Sequence, residues 1–516
     1  MMKKVIKKLL AALLAVAMVC AMAIPAFAYD TKEDLDTKHE YDAFQIFKGD
    51  VSDDNTKISH VEWGKNIPHP EDFLPKLRAD STLSSEFANA DSLQKVLDVM
   101  KDWKTSDDNS IAFARFVCNY IYTDANANST PVKQGGHTGG FELDEAGYYL
   151  IVDTSPFSDG DSYHAYNSFL LKVNKAHYHV QITPKVVKPT VEKKVYDNDD
   201  GSSSGDNNGW GSSADHAINE EFKFRLIATL PESENNGRAY DYYDKYTVCF
   251  NDTLSDGITF DKLDKVEIAN VDGVNPQVID ADNYTRTPNG SQSFKLSIDN
   301  VKTCARAANL DLNKGATITV TYTAHLNETA YVNTAGGDTK NKNRVYLEYS
   351  NNPRIDTSLD HTHESEVCVY TYQLNNTKHQ DSETGPVLAG AGFRLYSDKA
   401  CTEEQEVKLY KEGAFYYPIK DATDKDAVEM MISGQDGQFN VRGLDAGTYY
   451  LKETKTPDDY SACPDKEIVI SATHDVYNVS LAGNLSNKII NKKPAALPCP
   501  PPAASALPSS MWSAAA

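Results

Sequence analysis

Cysteine is sparse in this chain and falls into no metal-binding pattern. The 516 residues hold 8 Cys, with no CxxC pair and no His/Cys group at zinc spacing. Neither a metal nor a cofactor is therefore expected. Cationic residues are outnumbered: 51 Lys and Arg face 74 Asp and Glu, a net charge of -23. That balance makes nucleic acid and anionic lipid poor partners, because both repel an acidic surface. Signatures of turnover chemistry are missing as well. There is no nucleophile elbow and no phosphate-binding loop, and the plentiful Ser, His and Asp form no recognisable catalytic pattern. An ordinary enzyme is disfavoured.

What is present describes an exported globular protein. Hydrophobic residues make up 40% and charged residues 24%, a globular rather than a disordered composition. The length suggests about three domains. Lys3, Lys4, Lys7 and Lys8 form a basic start, Leu9 to Ala23 an apolar run, and Ala26-Phe27-Ala28 a small-x-small cleavage site. This reads as a signal peptide over 1–28 with a mature start at Tyr29, the run being short for a membrane anchor. Export places the remaining cysteines in an oxidising compartment. Cys401 and Cys463 flank one domain and could pair. Cys249 with Cys304 is a weaker pairing, and Cys118, in an apolar stretch, reads as a buried core thiol.

Along the chain the patterns change near prolines and Gly/Ser-rich stretches. A first unit over 29–185 has a strand at Tyr41–Phe47, helical spacing over 81–121, a strand at Gly147–Asp153 and a hairpin-like alternation over Ser168–Ile182. A second unit over 186–365 has β-branched strand candidates at Phe222–Thr229, Tyr246–Phe250, Ala316–Thr323 and Arg344–Tyr349, and a Gly/Ser/Asp/Asn loop over Asp197–Asp215. A third over 366–493 has strand candidates at Val367–Leu374, Gly392–Tyr396, Gly447–Lys452, Glu467–Ile470 and Leu485–Ile490. Many short strands with regular turns predict a mainly β protein of sandwiches in series, with helix only in the first unit.

Two motif sets carry chemistry. In Gly447-Thr448-Tyr449-Tyr450-Leu451-Lys452-Glu453, alternation puts Glu453 on the face of Tyr449 and Leu451. A carboxyl buried there prefers to be neutral. Lys378 lies on an upstream strand, and Ile489-Ile490-Asn491-Lys492 closes the domain. These residues resemble the B-type repeat of collagen adhesins and SpaA-type backbone pilins. The resemblance implies that Lys378 attacks the side-chain amide of Asn491, with Glu453 as the catalytic acid and ammonia released. The second set lies in the middle unit: Pro189-Thr190-Val191-Glu192-Lys193-Lys194-Val195, then Phe250-Asn251-Asp252-Thr253, then Asn343-Arg344-Val345-Tyr346. It resembles the isopeptide-forming domain of fimbrial subunits and implies Lys193 as amine, Asp252 as acid and Asn343 as amide. Lys194 and Asn351 are the nearest rivals; neighbouring strand residues face opposite ways, so only one of the two lysines can point inward.

The junction Val180-Gln181-Ile182-Thr183-Pro184-Lys185 is similar to the segment in which backbone pilins carry a polymerising lysine. By that resemblance Lys185 joins the next subunit through a sortase. Thr183 stands where the family has Tyr, and Ala176 where it has Trp. The first unit, with Tyr41–Gly49 and Glu62-Trp63-Gly64, is similar to the N-terminal domain of such pilins. The implied architecture is three Ig-like β-sandwich domains in series. The implied partners are a sortase, other copies of the chain, tip and base pilins and a host ligand, at the cell wall or in a surface pilus. The alternatives are a monomeric adhesin of the same architecture and a secreted enzyme with sandwich accessory domains.

The tail, 494–516, departs from the family. No Leu-Pro-x-Thr-Gly motif follows Leu497-Pro498, which leaves anchoring open. A shifted reading frame, using the first two bases of each codon as bases two and three, permits Leu-Pro-Ser-Thr-Gly-Gly over Cys499–Ala504. It then forces Val from Met511-Trp512 and permits a second Val from Trp512-Ser513.

Overall fold

The computed structural model describes residues 39–51, 58–103, 107–137, 141–155, 168–173, 178–180, 188–197, 208–233, 238–289, 292–420 and 425–494. The expected mainly β class is what it shows, with strands in all parts of the described chain and the longer helices confined to the first unit.

The first unit is a sheet covered by helices. Its principal strands are β1 (Glu40–Val51), β2 (Ile58–Trp63), β3 (Gly147–Asp153) and β4 (Ser168–Val173), in the order β2-β1-β3-β4. Nearly every residue of β3 is buried, which explains its unbroken apolar sequence: both faces are covered. Leu150 and Val152 face the helices, and Tyr149 and Ile151 a smaller cluster with Tyr41, Ala43 and Val173. The longer helices are α1 (Pro70–Ala79), α2 (Leu93–Met100) and α3 (Asp108–Thr123). The single helical stretch expected over 81–121 is thus divided. α1 lies ahead of it, opened by a proline whose missing N–H costs nothing at a first turn. After α1, the Asp80 carboxylate accepts from the backbone of Thr82 and Leu83 and turns the chain.

The middle unit is a two-sheet sandwich. One sheet contains β6 (Ser213–Asp215), β13 (Ser365–Tyr370), β12 (Lys342–Ser350), β8 (Val248–Leu254) and β10 (Ser293–Ile298), in that order. The other runs β9 (Ile258–Asn270), β11 (Ala316–Leu326), β7 (Glu221–Leu230) and β5 (Thr190–Tyr196). In β7 every second residue, from Phe222 to Leu230, is buried. A period of two of this kind seats one face of a strand on a core. The strand expected over Val367–Leu374 is split at Thr371. Residues up to Cys368 pair with β12 and up to Tyr370 with β6, carrying the middle sheet beyond the expected boundary at 365, and β14 (Tyr372–Gln380) opens the next sandwich.

In the third unit, β16 (Asn440–Leu444), β14 and β19 (Ser486–Asn491) are consecutive in one sheet. β15 (Gly392–Tyr396), β17 (Gly447–Lys455) and β18 (Lys466–His474) are consecutive in the other. β14 and β19 run parallel, with Lys378 opposite Ile489 and Gln380 opposite Asn491.

The second and third units are closely docked. Tyr410 and Tyr417 enter the middle core, Asn219 donates to the Pro418 carbonyl at 3.0 Å, and the Ile218 N–H donates to the Gly443 carbonyl at 2.9 Å. Gly443 has φ +81°, and a Cβ there would meet the Ile218 side chain at 2.5 Å. Both the left-handed backbone and the close approach require glycine.

Candidate functional site

The middle cluster spans the sandwich. Lys193 on β5 and Tyr322 on β11 come from one sheet, Asp252 on β8 and Asn343 on β12 from the other, and all four are buried. β8 and β12 pair with Asp252 opposite Val345 and Leu254 opposite Asn343, so the acid and the amide are diagonal neighbours on one face. Lys193 Nζ donates to the Asp252 carboxylate and lies 3.2 Å from the Tyr322 hydroxyl. Tyr322 donates to Asp252 Oδ2 at 2.7 Å and accepts from Asn343 Nδ2 at 2.6 Å. Asn343 Oδ1 accepts no hydrogen bond. Phe224 forms a wall, its ring centroid 5.3 Å from the ammonium nitrogen.

Burial sets the protonation states here. Desolvation lowers the Lys193 pKa to about 8, against the pull of Asp252, and raises that of the Asp252 carboxyl against the pull of Lys193. Each shift favours the neutral form, an amine with a free lone pair and a carboxylic acid. The rivals lie elsewhere. Lys194 is partly exposed with its nitrogen 3.7 Å from Glu192 Oε1, and Asn351 accepts from Ser358 Oγ at 2.8 Å.

The third cluster joins neighbouring strands of one sheet to the sheet opposite. Lys378 on β14 donates to Asn491 Oδ1 on β19. Asn491 Nδ2 donates to Glu453 Oε1 on β17 at 2.8 Å, and Lys378 Nζ is 3.8 Å from that same oxygen. The side chains of Lys378 and Glu453 are fully buried, and the Phe393 ring covers the amine at 5.2 Å. Glu453 Oε2 accepts from the Cys463 backbone N–H at 2.7 Å. Burial lowers the Lys378 pKa, against opposing pulls from Cys463 and Glu453.

The cysteine pairing expected between Cys401 and Cys463 is corrected: both are free thiols. Cys463 is turned toward Lys378 and Glu453, and burial pushes its pKa up to about 11. Cys401 lies instead among Asp465, Lys452 and Asp398. Cys249 and Cys304 are also unpaired. Cys118 is a buried thiol of the first core, pushed up to about 12 by desolvation.

Sequence reading missed Tyr322 and the place of Cys463 beside the third cluster. Tyr322 was open to discovery: it shares the buried face of β11 with Val320 and Ala324, and a phenol in such a place seeks a polar partner. Nothing in the sequence marks Cys463 as a neighbour of Lys378 and Glu453. Lys185 lies outside the described residues. In the first unit His39, Asp153 and Ser155 meet, but Asp153 Oδ2 at 2.7 Å and Ser155 Oγ at 3.5 Å both approach the same ring nitrogen, Nδ1. A hydrolytic triad needs acid and nucleophile on opposite nitrogens.

Comparison with known proteins bears on the third unit most directly. Residues 374–484 match the SpaA family, described as a prealbumin-like fold domain. Lys378 and Glu453 fall inside the matched segment and Asn491 just beyond it. This agrees with the resemblance to SpaA-type pilins carried by the motifs of that unit. Similar solved structures include the T6 backbone pilin of serotype M6 Streptococcus pyogenes, at 16% identity over 89% of this chain and 98% of that one, TM-score 0.47. The full-length major pilin SpaD of Corynebacterium diphtheriae is 21% identical over 72% of this chain and 86% of its own, TM-score 0.43. BcpA, the major pilin subunit of Bacillus cereus, is 17% identical over 71% and 92%, TM-score 0.40. No curated protein matches the sequence.

Proposed function

We propose that this chain is the shaft subunit of a sortase-assembled surface pilus, and that its middle and third units close themselves with Lys193–Asn343 and Lys378–Asn491 isopeptide bonds. The observation that carries this reading is the repetition, in two separate cores, of a buried amine, a buried acid and a buried amide joined by hydrogen bonds, directly in the third unit and through Tyr322 in the middle one. A lone buried lysine beside a carboxylate is a structural ion pair. A carboxamide in the same pocket, twice, is a reaction mixture.

In each unit the neutral amine attacks Cγ of the asparagine, forming the C–N bond of the new amide. The bond from Cγ to Nδ2 breaks, and Nδ2 leaves as ammonia, taking up a proton that originates on the lysine nitrogen. The acid moves that proton: Glu453 already touches Nδ2 of Asn491, and Asp252 reaches Nδ2 of Asn343 through the Tyr322 hydroxyl. Such transfer by a positioned group is ordinary general acid–base catalysis, here in a single turnover. The product is a staple that resists extension under load, as a shaft requires. Lys185, in the junction before β5, is the proposed branch point to the next subunit, and export to the cell surface follows from the N-terminal segment.

Intact mass of the purified chain tests the bonds, with two ammonia losses expected. Absence of both losses overturns the self-stapling reading. A ladder of SDS-resistant species in cell-wall digests, abolished by Lys185→Ala, tests polymerisation. A single monomer band instead favours a monomeric adhesin.

A further inference from the structure

Where the second and third units meet, the chain assembles a further buried cluster that the proposed isopeptide chemistry does not use. Asp197 follows the last residue of β5, Asp215 ends β6, and His474 ends β18; all three are at most 3% exposed. Their ligating atoms lie within 4.8 Å of one another. The placement is firm. The Asp197 N–H donates to Gly209 across a hairpin, Asp215 pairs with Tyr370 on β13, and the His474 ring stacks on Tyr370 with Nδ1 2.9 Å from Ser213 Oγ.

With Nδ1 engaged by Ser213, His474 presents Nε2 to the two carboxylates. It lies 3.5 Å from Asp197 Oδ2 and 3.4 Å from Asp215 Oδ1. Those spacings are long for an N–H···O hydrogen bond. They match the edge of a tetrahedron of N and O ligands around a zinc-sized ion, about 3.3 Å for metal–ligand bonds near 2.05 Å. Asp215 supplies an independent sign. It is fully buried, neither of its oxygens accepts a hydrogen bond of standard geometry, and its neighbours are His474 Nε2 and the Tyr372 phenol. Two carboxylates in a dry pocket repel each other and each bears a desolvation penalty. A divalent cation between them relieves both effects. Calcium is a poor fit, since it takes six to eight oxygen ligands at longer distances. One imidazole and two carboxylates, with a fourth position left for water, suit a small transition cation.

We propose that Asp197, Asp215 and His474 form a binding site for a small divalent transition-metal ion of the zinc type, which clips the third unit onto the middle one. The ion spans two strand ends of one sandwich and one of the other, so it stiffens the joint while the isopeptide bonds stiffen the units.

Zinc is the probe. The mature chain is stripped with chelator, dialysed against zinc and examined by native mass spectrometry and calorimetry. One zinc per chain is expected. His474→Gln and Asp215→Asn are expected to weaken it by more than the ten- to hundredfold that losing an outer partner costs, and His216→Gln, in the neighbouring His216–Glu220–Asp445 group, is expected to leave it unchanged. X-ray absorption at the zinc edge of the unmutated chain, which needs no variant to fold, is expected to show one imidazole and otherwise oxygen, without sulfur. No stoichiometric zinc overturns the proposal. So does binding that survives both substitutions, or a zinc shell containing sulfur or several imidazoles.

Discussion

In the middle unit a phenol stands between the acid and the amide; in the third the acid touches the amide directly. The two clusters hold the same three kinds of side chain and wire them differently because the strands that carry them are differently placed. Lys193 and Asn343 come from opposite sheets, so the proposed bond between them would cross the sandwich. Lys378 and Asn491 sit on adjacent parallel strands of one sheet, so the proposed bond between them would run along the sheet, and Glu453 reaches over from the other side. Tyr322 bridges Asp252 and Asn343. The same three kinds of group are thus held in two geometries, each in a buried pocket.

The sharpest break of the comparison is to remove each acid in turn. Asp252→Ala is expected to restore one ammonia to the intact mass and to leave the middle unit open while the third still closes; Glu453→Ala does the reverse. Each loss frees a loop of more than a hundred residues, the Lys378–Asn491 pair being 113 apart, which by the chain-entropy account of cross-links weakens the unit by about 5 kcal/mol. Calorimetry showing one transition lowered in each variant supports the assignment. A mass unchanged by either substitution removes that residue from its role.

Next in size is Tyr322→Phe. Deleting the hydroxyl breaks the relay only in the middle unit, and closure there is expected to slow by about a hundredfold, as for loss of a positioned acid–base group. The third bond should form at its usual rate. Peptide mapping of the two cross-links at intervals after refolding measures both in one sample. Equal slowing of both units would mean that the phenol acts on folding, not on proton transfer. The same time course on the unmutated chain is expected to show the third bond first, because Asn491 Oδ1 already has a donor and Asn343 Oδ1 has none.

A smaller effect is expected from pH. Asn343→Ala keeps Lys193 but blocks its bond. The folded pKa of Lys193, near 8, lies below its ordinary value of 10.5. Between those values the unfolded chain binds more protons than the folded one, so the middle unit gains stability as pH rises through that window. Asp252, whose folded pKa is raised, acts in the opposite sense at lower pH. In the stapled chain Lys193 no longer titrates, so its gain should vanish; urea unfolding across pH compares the two.

The smallest change is expected from Cys463→Ala. The thiol is neutral at pH 7 and touches the amine without lying between acid and amide. The third bond is expected to form within about tenfold of its normal rate. A larger loss would promote Cys463 from neighbour to participant and make the third site a four-group device like the middle one.

Much of this was legible in the residues. The alternation of β7, the Glu453 strand and the turn-rich spacing dictate a mainly β chain, because a strand with one apolar face has to lie on a core. The carboxyl in Tyr449-Tyr450-Leu451-Lys452-Glu453 announces a buried acid for the same reason. The helical stretch was legible as helix but not in its divisions, which depend on turns such as that at Asp80. Alternation also limited the amine to either Lys193 or Lys194 and could go no further, since a strand has two faces and only the opposing sheet decides which is inside. The packing of β5 buries Lys193 and leaves Lys194 partly exposed, and the pairing of β12 with β8 puts Asn343, not Asn351, diagonal to Asp252. Tyr322, the free state of Cys401 and Cys463, and the meeting of Asp197, Asp215 and His474 belong to tertiary structure alone. Their partners are distant in sequence, and no local periodicity records which distant strand will arrive beside them.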